Sequence, residues 1–396
     1  MSPTGRHPAL DVLSAALRLG LTSFGGPVAH IGYFRREYVT RRAWLDEAEF
    51  ADLVALCQVL PGAASSQLGF AIGTRRAGLA GGLAAWAGFT LPSAAMMVAL
   101  GLVASSADLS GAGWVHGLKL AAVAVVAQAV VQMARRLTPD WPRRAMAAVA
   151  AAAALLVVSP LSQAAIIVVG ALAGLLLLRA EEPLPRGESQ DIVSPRVGAA
   201  ALAAFFGLLV LLPLLRPVGG QTIALFDSFY RSGALVFGGG HVVLPLLHAN
   251  VVDPGWVSDG TFLAGYGAAQ ALPGPLFTFA AFLGTVSIPA PNGVAGGLIA
   301  LAAIFLGPIL LVLGALPFWD RIRAAARFRR ALLGINAAVV GILAAALYTP
   351  IWTGAVNAPA DVAVAVAGFA LLMTGRVPPI AVVAASAAAG QALAML

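Results

Sequence analysis

A pattern of helix-breaking residues is written twice in this chain, about two hundred residues apart. The first copy reads Arg18, Gly20, Phe24-Gly25-Gly26, Trp44, Phe50, Gln58, Leu60-Pro61-Gly62, Gly78, Gly81-Gly82, Phe89 and Pro92. The second reads Arg231, Gly233, Phe237-Gly238-Gly239, Trp256, Phe262, Gln270, Leu272-Pro273-Gly274, Gly293, Gly296-Gly297, Phe305 and Pro308. The separation is 213 at the arginine and Phe-Gly-Gly, 212 from the tryptophan to Pro-Gly, and 215 to 216 beyond. Slips that small are loop-sized. Duplicated breaks inside apolar segments mark a secondary transporter built from two repeats, with its site at the breaks.

The breaks do lie in apolar segments. Of 396 residues, 60% are hydrophobic and 10% charged, where a soluble domain runs nearer a quarter charged. Runs long enough to cross a bilayer as helix recur throughout, and no alternating strand pattern appears. The expectation is an all-α polytopic membrane protein. Cys57 is the only cysteine, which excludes an intrachain disulfide and a sulfur-built metal site. The first residues carry no cleavable-signal pattern. No cofactor or metal is expected, and no nucleic-acid partner, because no soluble domain could carry one.

The net charge of +7 reads as topology. Arginine pairs at 35–36, 41–42, 75–76, 135–136 and 143–144, with arginines between 179 and 196 and between 321 and 330, belong on the cytoplasmic side by the positive-inside rule. The second-copy loops at 247–255 and 287–292 hold no Lys or Arg. One loop, basic in one copy and bare in the other, implies two copies facing opposite ways. Crossings at 78–105, 114–134, 143–158, 161–179 and 196–215 make an odd number between the two cores, which also inverts the second. The expected organisation is a first repeat over 1–180, a linker with an additional span over 181–216, and an inverted repeat over 217–396. The setting is a multi-pass protein of the bacterial inner (plasma) membrane with a cytoplasmic N-terminus.

Segment 47–73, broken at Pro61-Gly62, has arginines at both ends. It therefore reads as a re-entrant hairpin, and 10–34, broken at Gly25-Gly26-Pro27, as a second; discontinuous helices that cross fully are the alternative. Backbone leaving the helix in hydrocarbon must be buried or line a wet cavity. Each helix starting after a break offers N–H groups and the positive end of its dipole, an anion site without a formal cation. Four breaks converging about a pseudo-two-fold axis would ring a central site with donors.

The candidates from the first copy are Phe24, Gly25, Gly26, Pro27, Gln58, Pro61, Gly62, Ser65, Ser66 and Gln67. Those from the second are Phe237, Gly238, Gly239, Gly240, His241, Gln270, Pro273, Gly274, Pro275 and Thr278. Close packing is the alternative role for glycines in membrane helices, and Gly78, Gly81-Gly82, Gly293 and Gly296-Gly297 are assigned to it. Charged candidates are Arg18, Arg231 and Lys119, a charge at membrane depth being functional by default. Snorkelling to the headgroups is the alternative for Arg18 and Lys119. Lys119 follows Gly117 as Asn336 follows Gly334 in the second copy. No catalytic arrangement stands out, so an enzyme is not expected.

The stretches 24–34 (Phe-Gly-Gly-Pro-Val-Ala-His-Ile-Gly-Tyr-Phe), Trp44-Leu45 and 57–62 resemble the amino-terminal half of the chromate ion transporter family. Residues 237–246 and 270–279 resemble its carboxy-terminal half. The likeness covers nearly the whole chain in the long, two-domain form. Ala63 departs from it, standing where the family's first copy usually has a second proline. The resemblance implies export of chromate from the cytoplasm and chromate resistance. Residue chemistry alone reaches an inverted-repeat carrier, or a channel, with an anion-friendly centre. It does not separate chromate from sulfate or other oxyanions, and it specifies neither a coupling proton nor a homodimer.

Overall fold

The structure is a computed structural model that describes residues 7–106, 112–157, 162–179, 193–237 and 239–395. Among them there is helix and no strand. The first repeat begins with α1 (Pro8–Thr22) and α2 (Gly26–Phe34), the latter running on as a π-helical turn, Arg35–Arg41. Then come α3 (Glu47–Val59), α4 (Ala64–Ser106), α5 (Gly113–Leu137), α6 (Trp141–Leu156) and α7 (Ser162–Leu177). Helix α8 (Pro195–Ala234) joins the extra span to the second repeat and bends at Gly220. The second repeat continues with α9 (Val243–Val251), α10 (Asp259–Ala269), α11 (Phe279–Val286), α12 (Gly293–Ala315), α13 (Trp319–Ala324), α14 (Ala326–Ala346), α15 (Thr353–Ala355), α16 (Pro359–Met373) and α17 (Pro379–Leu393). Among the described residues five helical stretches are long and apolar enough to cross a membrane.

The broken segments re-enter. Helix α3 has 13 residues, about 20 Å at 1.5 Å each, which falls short of a hydrocarbon layer of about 30 Å. Its start meets the bend of α4 through the Glu49–Arg75 ion pair. Arg42, beyond α2, pairs with Asp11 in the first turn of α1 at 2.6 Å, so α1 and α2 also double back. In the second repeat the Ile288 N–H donates to the Trp256 carbonyl at 2.9 Å, closing the mouth of the α10–α11 hairpin. Asn250 Nδ2 donates to Ser232 Oγ at 3.2 Å and ties α9 beside α8.

The two repeats are antiparallel. Arg323, past the end of α12, reaches Asp52 at the mouth of the first hairpin at 2.6 Å, and Trp319 Nε1 donates to the same carboxylate at 3.0 Å. At the other side, a Cβ added to Gly101 near the end of α4 would stand 2.8 Å from Thr285 Cβ, at the mouth of the second hairpin. Each long span thus ends beside the other repeat's hairpin mouth. The first hairpin's mouth marks the arginine-rich face.

Packing interlocks the halves. Helices α6 and α7 lie on α14 of the second repeat, while α16 and α17 lie on α5 of the first. Helix α1 packs on α4 so tightly that a Cβ on Gly20 would stand 2.6 Å from the Gly88 carbonyl oxygen. One expectation is corrected here. Gly81, Gly82, Gly296 and Gly297 do pack closely, but Gly78 and Gly293 meet nothing within 4 Å. Their φ values of 62° and 56° let the hairpin turn into the following span, a conformation that favours glycine.

Candidate functional site

The four breaks meet at the centre through two matched hydrogen bonds. The Gly62 N–H donates to the Val236 carbonyl at 2.7 Å, and the Gly274 N–H donates to the Ser23 carbonyl at 2.9 Å. Each Pro-Gly amide caps the residue before the other repeat's Phe-Gly-Gly. Positive φ at Gly62 (123°) and Gly274 (93°) aims these amides. Gln67 braces the joint, its Nε2 donating to the carbonyls of Pro61 at 3.0 Å and Pro308 at 3.1 Å. The expected ring of free donors is therefore reduced, since these two amides hold the halves together.

Beside the joint, toward the arginine-rich end of α5, lies a cavity of about 420 Å³. It admits a small oxyanion with several waters, each taking about 30 Å³. Gly25, Gln58 and Gly62 line it from the first repeat, and Gly239, Gly240 and His241 from the second. Two helix starts border it: α2, capped by Gly25 at φ 96°, and the 3₁₀ turn Gly240–Val242 that leads into α9. Such starts carry partial positive charge. His241 Nδ1 lies 2.7 Å from the hydroxyl of buried Tyr266, which fixes the ring.

Three further polar residues line the cavity that the motif reading did not assign to it: Gln132, Arg136 and Asn336. Arg136 Nη2 donates to Gln58 Oε1 at 2.5 Å. The turn after it is built by Arg144, whose Nε and Nη2 donate to the carbonyls of Thr138 (3.1 Å) and Pro139 (2.8 Å). Asp140 caps α6 there, and its carboxyl is held below the ordinary range by hydrogen bonds from Arg143. Among the described residues no carboxylate lines the cavity, so its electrostatics favour an anion. Arg136 was hidden in a run of arginines that reads as topology. The signal was Gln128, Gln132 and Arg136 at every fourth position of an apolar helix.

The remaining candidates lie elsewhere. Ser65, Ser66 and Gln67 are buried beside the joint; Ser65 Oγ lies 3.2 Å from His30 Nδ1, and Ser66 Oγ is buried without a hydrogen-bond partner. Phe24, Pro61 and Phe237 are half-buried and do not line the cavity. Gln270, Pro273, Gly274, Pro275 and Thr278 form the second repeat's break and also stand off it; Thr278 Oγ1 donates to the Pro275 carbonyl at 2.9 Å. Gly238 and the side chain of Pro27 lie outside the described residues. Arg18 is exposed on α1. Arg231 pairs with fully buried Asp227 at 2.9 Å, and Arg216 joins the same carboxylate at 3.0 Å. Arg231 thus neutralises a buried charge away from the cavity. Lys119 lines a different pocket, of about 250 Å³, near the opposite end of α5.

The chromate transporter family matches this chain twice, over residues 10–175 and again over 223–391. The chain belongs to the chromate transporter family. It is 30% identical to the chromate transport protein of Pseudomonas aeruginosa over 341 residues, 83% of this chain and 78% of that one. It is 29% identical to a probable chromate transport protein of Synechococcus elongatus over 86% of this chain and 85% of that one. Against the chromate transport protein of Cupriavidus metallidurans, identity is 27% over 84% and 80% of the two chains. No solved structure matches. The chain is a multi-pass membrane protein, and these relatives are named as transport proteins.

Proposed function

We propose that this chain exports chromate, or a closely related tetrahedral oxyanion, from the cytoplasm of a bacterial cell by alternating access. In doing so it confers chromate resistance. The observation that carries the reading is the cavity at the inter-repeat joint. There Arg136, two helix starts, Gln58, Gln132 and Asn336 converge, with no carboxylate among the described residues. The arginine-rich face is cytoplasmic by the positive-inside rule, so the cavity opens inward and the N-terminus is cytoplasmic. Residues 1–180 and 217–396 act as the two moving repeats, with 181–216 between them. Gly25, Gln58, Arg136, Gly239, Gly240 and His241 contact the anion, while the Gly62 and Gly274 amides hold the pivot. Expelling a dianion from a negative-inside cell is downhill by about 2.3 kcal/mol per charge per 100 mV, so the membrane potential suffices without a coupling proton.

The experiment is chromate flux into vesicles reconstituted with the purified chain, with sulfate as competitor. Arg136→Gln removes a charged hydrogen-bond donor worth about 1.5–3 kcal/mol. It should raise the half-saturating concentration at least tenfold, with partial recovery in Arg136→Lys. Wild-type flux in Arg136→Gln would remove the cavity from the pathway. Flux of sulfate without chromate would move the substrate to sulfate, and single-channel currents would replace the carrier by a channel.

A further inference from the structure

We propose a second, separate oxyanion site on the opposite face, built around Lys119; it rests on the transport reading above and adds the station at which the anion leaves. The pocket there, about 250 Å³, is bounded by Trp114, Val115, Leu118 and Lys119 of α5 and by Ser258, Gly260 and Thr261 at the start of α10. Lys119 and Arg136 are 17 positions apart on one helix, about 25 Å at 1.5 Å per residue. The two cations therefore stand near opposite edges of the hydrocarbon layer.

Three observations point to an anion. Among the described residues Lys119 makes no hydrogen bond or ion pair, and no carboxylate lines its pocket. An ammonium carries three donors and no acceptor, so near the edge of the layer it is available to an anion. The ammonium also lies against the first turn of α10, where a Cβ on Gly260 would stand 3.0 Å from Nζ. A helix start carries positive partial charge and ordinarily attracts an acidic side chain. Asp259, the acidic residue of that turn, bonds His248 Nε2 at 2.7 Å and leaves the ammonium unpaired. Ser258 Oγ caps that start by accepting from the Thr261 N–H at 3.2 Å, and the Ser258 and Thr261 hydroxyls, 2.9 Å apart, border the ammonium's pocket. A tetrahedral oxyanion pairs with the ammonium and accepts the one hydroxyl proton that the Ser258–Thr261 bond leaves over. Finally, the repeat relation places Lys119 where the second copy has Asn336, which lines the central cavity. Position 119 therefore faces the pathway of the opposite side.

Trp114 reports on this pocket, because chromate absorbs where indole emits and quenches a nearby tryptophan. The test is chromate titration of the purified full chain, with sulfate as colourless competitor, in wild type and in Trp114→Phe; their difference is the Trp114 signal. A saturable, sulfate-displaced Trp114 signal is expected. Lys119→Gln should weaken its Kd tenfold or more, and Lys119→Arg should keep it within threefold. Arg136→Gln should lose flux yet leave the Trp114 Kd within twofold. A Trp114 Kd unchanged in Lys119→Gln would make the lysine a headgroup contact. A signal that does not saturate would empty the pocket of anion, and one abolished by Arg136→Gln would merge the two sites. Each of these overturns the proposal. If Lys119→Gln does not purify, Thr261→Val decides: a Kd raised threefold or more supports the site, and an unchanged one overturns it. Wild-type vesicles without chromate flux would instead sink the transport reading, whatever Trp114 shows.

Discussion

The two re-entrant hairpins are copies of each other, yet they stand differently against the neighbouring repeat. Helix α10 lies directly on α5: a Cβ on Gly267 would stand 2.2 Å from the Leu118 carbonyl oxygen. Its counterpart α3 makes no more than passing contact with α14, and the cavity of about 420 Å³ occupies that side. The first copy has Ala55 where the second has Gly267, and Ala48 where it has Gly260. At the Gly267 position a methyl would collide with the α5 backbone, whereas at Gly260 it would meet only the movable end of Lys119. The inverted pair is thus closed against the neighbouring repeat at one hairpin and open at the other, and the two hairpins differ there in glycine against alanine.

The comparison breaks most completely at the joint that both sides share. Gly274→Val forces a β-branched residue to φ 93° and puts a Cβ 2.8 Å from Ser93 Oγ. Strain of about 1–3 kcal/mol and overpacking of about 1–3 kcal/mol add up to loss of folded, monodisperse protein on gel filtration. Wild-type yield and flux would show that the joint is not structural.

Next in size is the shut side. Gly267→Leu cannot fit under α5, so α10 must lift. In a Cys57→Ala background, a cysteine placed by Thr261→Cys should react with a membrane-impermeant maleimide at least tenfold faster when Gly267→Leu is added. An unchanged rate would mean that α10 is a fixed wall and not a gate. On the open side, Arg323→Gln removes the cation from Asp52 and should lower stability by about 1–3 kcal/mol, read as a fall in melting temperature in detergent. The smallest effect belongs to Arg35–Glu47, more than half exposed on both partners. Glu47→Gln should barely move the melting temperature, and the small difference should vanish in high salt.

Much of the fold was legible because helix breaks are a local property. Proline and glycine interrupt an apolar helix wherever they occur, so Pro61-Gly62 and its copy at Pro273-Gly274 announced hairpins and a repeat. Their partners were not legible. The Gly62 amide looked like a donor for substrate and proved to donate to Val236. Arg231, the copy of Arg18, looked like a shared functional cation and instead pairs with Asp227, which has Ser14 as its first-copy counterpart. Arg136 was read only as a topological charge, because a positive-inside signal does not distinguish an arginine facing headgroups from one bonded to Gln58.

The sequence by itself determined a helical membrane protein of two opposed repeats with interrupted helices at matching places, since hydrophobicity, charge bias and backbone breaks all act within a few residues of where they are written. Tertiary structure decided which amides are used up in the joint, which cation enters the cavity and which side stands open. Those outcomes depend on contacts between residues far apart in the chain, 78 positions for Gln58 and Arg136 and more for the joint, where one methyl group or one hydrogen-bond partner chooses between equivalent arrangements.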